Sequence, residues 1–78
     1  MTNTYQLTVR AMCPVFPDQI DVYEVTVVSV AMVKVERINE WFARYETKQV
    51  FQEVLAAESA TAIGATVIVE GMHSGVRV

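Results

Sequence analysis

The sequence is poor in the residues that most often advertise a function. It holds one cysteine, Cys13, and one histidine, His73, in 78 residues. A lone thiol cannot close an internal disulfide or build a cysteine cage for a metal, and nothing marks the chain for an oxidising compartment, so the expected location is cytoplasmic. Six Lys and Arg stand against nine Asp and Glu, a formal net charge of −3. That balance lacks the basic cluster that phosphate recognition needs and argues against direct nucleic-acid binding. Only three glycines occur, in no phosphate-cradling or dinucleotide pattern, and no serine sits in a nucleophile elbow. No cofactor is expected. The longest apolar stretch, Val25 to Val33, contains Thr26 and Ser29 and falls well short of the ~20 residues of a membrane-spanning helix. Residues Met1 to Arg10 alternate in polarity and do not read as a signal peptide.

What is present is apolar mass. Hydrophobic residues make up 53% of the chain and charged residues 19%, enough to drive folding and too greasy for disorder. The length suits one domain over residues 1–78. A domain of this size buries only ~60% of its unfolded surface, which makes self-association, as a homodimer, a natural expectation.

Hydropathy periods divide the chain into elements. Tyr5, Leu7, Val9 and Ala11 alternate with polar neighbours and predict a half-buried strand. Pro14 and Pro17 interrupt it with a loop. Val22, Tyr23, Val25, Val27, Val28 and Val30 give the density of β-branched and aromatic residues that a second, antiparallel strand needs. From about Val35 the spacing of Ile38, Trp41, Phe42 and Tyr45 predicts an amphipathic helix. Thr47 suits the N-cap of a second helix, with Val50, Phe51, Val54, Leu55 and Ala62 as its apolar stripe and Gly64 as its left-handed end. Ala65 to Glu70 alternates as a third strand, Gly71 to Gly75 reads as a turn, and Val76 to Val78 as a short tail. The order β-β-α-α-β, or β-β-α-α-β-β if the tail pairs, predicts an α+β two-layer sandwich. Its antiparallel sheet has three strands, or four with the tail, and carries both helices on one face.

Few side chains carry chemistry. Cys13 stands between a strand and a proline turn, where a thiol can be reactive or simply a small hydrophobe. Cys13 and His73 are the minimum for a thiolate pair, and only the fold could join them. Without a second histidine, a metal site would need Cys13 plus carboxylates, an unusual donor set for zinc, so no metal is expected. Trp41, Phe42, Tyr45 and Phe51 lack the basic groove of a base-stacking platform and read as core. Asp18, Asp21 and Glu24 concentrate negative charge early in the chain and could meet a basic partner surface.

The order of elements and several short motifs resemble the tunnelling-fold enzymes of the GTP cyclohydrolase I and nitrile reductase type. Arg37-Ile38, Phe42-Ala43-Arg44, Gln52-Glu53-Val54-Leu55 and Val67-Ile68-Val69-Glu70 before His73 look like the helix-helix-strand region of the former. Cys13-Pro14 after the first strand looks like the catalytic cysteine region of the latter, an enzyme of deazaguanine metabolism. The resemblance implies a purine or pterin ring anchored by Glu53, Cys13 as nucleophile or metal ligand, His73 in proton transfer, and sites built between subunits. The histidines of the cyclohydrolase metal set have no counterpart after Cys13, and Gly75 stands where its second cysteine would fall.

Weighed together, the short length, the acidity and the scarcity of reactive groups favour a non-catalytic protein. The leading expectation is a small acidic binding domain that docks on a partner through Asp18, Asp21 and Glu24 and blocks or adapts it. The partner would have a basic surface, such as a nucleic-acid-binding machine, and the domain would be a phage or mobile-element inhibitor of the anti-CRISPR kind. The alternative is a tunnelling-fold purine- or pterin-binding enzyme, or its degenerate relative, built from Cys13, Glu53 and His73.

Overall fold

A computed structural model describes every residue except Pro17, Ser74, Gly75 and Val78, with side chains described as far as Gly71. Strands β1 (Asn3–Met12) and β2 (Ile20–Ser29) pair antiparallel along their whole length, from Asn3 opposite Ser29 to Met12 opposite Ile20. Because strand side chains alternate between faces, the odd-numbered residues of both strands point to one side. Val9, Ala11, Tyr23, Val25 and Val27 are buried there, while Thr8, Arg10, Val22 and Glu24 face outward and are exposed. Strand β3 (Thr66–His73) adds to β2 with Val27 opposite Val67, Val25 opposite Val69 and Tyr23 opposite Gly71. The tail does pair: β4 (Val76–Arg77) lies antiparallel to the end of β3, giving a sheet of order β1-β2-β3-β4 among the described residues.

The inward face is covered by α1 (Val35–Ala43), a 3-10 turn (Arg44–Thr47) and α2 (Gln52–Ile63). The sequence stripe of the first helix is visible in burial: Ile38, Phe42 and Tyr45 are all within 4% of fully buried, and Trp41 packs at their margin. Trp41 donates its indole N–H to the hydroxyl of Ser59 at 2.8 Å. That bond lets the polar Ser59 sit fully buried between the helices without an unmet polar group. The α+β two-layer architecture expected from the sequence is the one found, with its optional fourth strand. No described helix is long and apolar enough to cross a membrane.

Three local expectations are corrected. Thr47 closes the 3-10 turn instead of capping α2, whose N-cap is Phe51. The reason is tertiary. Lys48 to Val50 run extended beside the end of β1, where Met12 donates its N–H to the Lys48 carbonyl at 2.9 Å and accepts from the Val50 N–H at 3.3 Å. Helix α2 therefore starts four residues later and buries Leu55, Ser59 and Ile63, leaving Phe51 and Val54 exposed. Gly64 does end it with a left-handed φ of 74°. Gly71 belongs to β3 and not to a turn; Ser74 and Gly75 of the expected turn lie outside the described residues.

Candidate functional site

At one end of the sheet, β1 stops, β2 begins and α2 begins. Between them lies a cleft of about 410 Å³. Cys13 is the first residue past β1. Its N–H donates to the Gln19 carbonyl at 3.0 Å, and its Sγ accepts the Phe16 N–H at 3.4 Å, so the loop that starts at Pro14 folds back over the thiol. Cys13 is nearly buried and lines the cleft. From the opposite wall come Phe51, Gln52 and Glu53 at the start of α2. Gln52 donates its side-chain N–H to the Val69 carbonyl at 2.7 Å, tying the helix start to β3. Glu53 is exposed in the first helical turn, where the helix dipole favours a negative charge.

The floor is built by β2. Asp21 lies opposite Ala11, half-buried, and its carboxylate accepts the Tyr23 hydroxyl at 3.2 Å. Tyr23 is 2% exposed. Its ring covers the backbone of Gly71, where a Cβ would stand 2.8 Å from the ring. The phenol is pushed up to about 12, first by burial, then by the charge and hydrogen bond of Asp21, with Cys13 and Glu53 adding to the effect. Only Asp21 touches the hydroxyl, and the more distant Cys13 and Glu53 act on it in the same direction. The sign of the linkage follows: the neutral phenol supports the fold fully below pH ~10, and that support is lost as pH rises through about 12. Subtracting the ultraviolet titration of Tyr23→Phe from that of the wild type should isolate this late ionisation, and Asp21→Asn should move it to lower pH. An unmoved transition in Asp21→Asn would show that the carboxylate is not the phenol's partner in solution.

The residues singled out from the sequence are sorted by this geometry. Cys13 and Glu53 share the cleft. His73 closes β3, and its side chain lies outside the described residues. Asp18 is exposed in the loop, Asp21 is in the cleft, and Glu24 is on the outward face of the sheet, accepting the Thr8 hydroxyl at 3.1 Å. The three carboxylates do not make one surface. Sequence reasoning missed Tyr23 and Gln52 as parts of a site. The signal available for Asp21 was parity: positions 21 and 24 of a strand must face opposite ways. Among the described residues no three His, Cys, Asp or Glu side chains gather to hold a metal.

This fold has a solved counterpart. It superposes on the crystal structure of the archaeosine synthase QueF-Like with a TM-score of 0.84, covering 99% of this chain and 86% of that one at 21% identity. No protein-family model and no curated protein matches the sequence. The likeness supports the tunnelling-fold resemblance at the level of fold. It also overturns the leading expectation: a domain that shares its architecture almost end to end with a synthase is not read as a phage or anti-CRISPR inhibitor. The physical cause of that error lies in the acidic residues, which were counted together along the chain although one faces a cleft and another the opposite side of the sheet.

Proposed function

We propose that this protein is a tunnelling-fold enzyme, or a close derivative of one, that binds a purine- or pterin-like heterocycle between Glu53 and Cys13. The observation that supports this reading best is the delivery of Cys13, from the end of β1, and Glu53, from the start of α2, to one cleft. Its volume of about 410 Å³ falls in the range of small-molecule sites. A carboxylate offers two acceptor oxygens, which suit the adjacent N–H donors of an amino-lactam edge. Phe51 offers an apolar surface to a ring. The architecture shared with an archaeosine synthase supports the same class of occupant.

Cys13 gives the site its reactive atom. A thiolate adds to an electrophilic carbon such as that of a nitrile: the sulfur–carbon bond forms, one carbon–nitrogen π bond opens, and the proton released by the thiol ends on nitrogen. The product is a thioimidate, and no oxidant or reductant is consumed. Strand β1 ends the sheet, and pairing of such an edge with another copy would place cleft and neighbour side by side.

The test is ligand-induced stabilisation. Guanine and pterin at ~100 times their Kd should add about 2.7 kcal/mol to the native state, which for so small a domain raises Tm by roughly 10 °C or more. Glu53→Gln should weaken binding about 10- to 100-fold, the worth of a charge-assisted hydrogen bond. A strictly monomeric protein by light scattering whose Tm responds to neither compound would refute the reading.

A further inference from the structure

A core-facing strand position is an expensive place for a carboxylate unless it is hydrogen-bonded or put to use. Asp21 stands at such a position on β2, beside the buried Tyr23 on the same face. One of its oxygens, Oδ2, accepts the Tyr23 hydroxyl at 3.2 Å. Among the described residues, no donor meets the other oxygen, and no Lys or Arg lines the cleft that Asp21 shares with Glu53. The phenol cannot swing away, because its ring is buried and seated on Gly71 with no room for even a Cβ beneath it. The phenol oxygen is held in place, and its hydrogen bond holds Oδ2 of Asp21 near it. Such preorganisation is what a binding group needs if it is not to lose affinity to ordering.

We propose that Asp21 governs what enters the cleft, selecting occupants that carry N–H donors and no negative charge, and that Tyr23 is its positioning residue. The proposal rests on the reading that the cleft binds a heterocycle and deepens it by giving the ligand a second point of attachment. Glu53 accepts from one edge of the occupant and Asp21 from another, on the side of Cys13. Asp21 is two residues after Gln19, whose carbonyl accepts the Cys13 N–H, and it lies opposite Ala11, which makes it a diagonal neighbour of Cys13. Two carboxylates, Asp21 held by Tyr23 and Glu53 at the exposed start of α2, with no Lys or Arg in the lining, disfavour a phosphorylated ligand and favour a neutral or cationic one. The elevated ionisation of Tyr23, to which Asp21, Cys13 and Glu53 all contribute, is consistent with that field.

The field can be read without knowing the ligand. Cys13 reacts with methanethiosulfonate reagents of nearly equal size that carry either a trimethylammonium or a sulfonate group, and the ratio of the two rates reports the local potential. In the wild type the cationic reagent should react faster. Asp21→Asn should lower the ratio about 5- to 10-fold, as expected for one unit charge at diagonal-neighbour distance in a partly screened cleft. Tyr23→Phe, which keeps the ring on Gly71, should lower it less. Glu24→Gln, on the outward face, should leave it unchanged. Guanine affinity gives a second readout: Asp21→Asn should weaken it at least 10-fold, and adding Tyr23→Phe to Asp21→Asn should cost nothing more, since the phenol acts through the carboxylate. A ratio unmoved by Asp21→Asn, or moved as far by Glu24→Gln, would overturn the proposal. So would undiminished guanine affinity in Asp21→Asn. If the wild type binds no base at all, the functional reading falls, and the reagent ratio decides by itself whether Asp21 controls entry.

Discussion

Replacing Leu55 with alanine should cost about 2–5 kcal/mol, the penalty of removing a fully buried leucine side chain from a core that cannot close the void. Leu55 is 0% exposed and is the first of the buried residues along α2. At the usual 0.05–0.15 kcal/mol per residue, a chain of this size has only about 4–12 kcal/mol to lose. The substitution should therefore remove a large share of that stability, seen as a marked fall of the urea midpoint. Leu55→Met, which keeps the volume, should cost less than about 1.5 kcal/mol. Equal and small effects of both would mean that α2 is not packed on the sheet as described. Because Leu55 follows Gln52 and Glu53 in the first turn of α2, partial loss of packing should also loosen one wall of the cleft.

Gly71→Val is the second large effect. Here the backbone is not the obstacle, for Gly71 lies in regular β3 and carries no left-handed φ. The obstacle is the Tyr23 ring, whose Cδ1 and Cε1 would stand 2.8 and 2.9 Å from an added Cβ. A buried ring whose hydroxyl is engaged with Asp21 has nowhere to go, so the change should cost roughly 1–3 kcal/mol, the usual penalty of overpacking. It should also tilt the hydroxyl away from Asp21 and weaken guanine binding. The decisive comparison is a double mutant. In a Tyr23→Ala background the valine should find the space the ring has vacated, and its cost should shrink or change sign. Full additivity would show that the ring does not lie over Gly71.

Much of this architecture could be read from the order of residues, and the exceptions have physical causes. Tyr5, Leu7, Val9 and Ala11 betray β1 because a half-buried strand must alternate. Ile38 and Phe42 betray α1, and Tyr45 the 3-10 turn that continues it, because one helical stripe must be apolar. Where α2 starts was hidden, since nothing local tells Lys48 to Val50 to extend; they do so to pair with Met12, a partner far away in sequence. Ser59 was hidden for the opposite reason. Its burial depends on the Trp41 indole, and hydropathy alone gives a serine no place in a core. Gly71 was read as a turn former because its real duty, making way for Tyr23, exists only once β2 and β3 are side by side. Of the site, Cys13 and Glu53 were nameable through a family likeness, but their meeting was not, and Asp21 was misplaced by counting its charge along the chain instead of by face.

The two hydrogen bonds of Met12, one donated to the Lys48 carbonyl and one accepted from the Val50 N–H, have a consequence for how such a site can change over time. They anchor the stretch before α2 to the same strand end that presents Cys13, so thiol and glutamate are spaced by a short ruler with a fixed number of marks. Adding or deleting one residue between Val50 and Gln52 would leave Ile38, Phe42 and the sheet untouched, yet it would change the reach of the connection by about 3.3 Å and shift the start of α2, and Glu53 with it, relative to Cys13. Length variation in this small connection, more than substitution at its ends, is the cheapest route by which descendants of this chain could reshape the cleft.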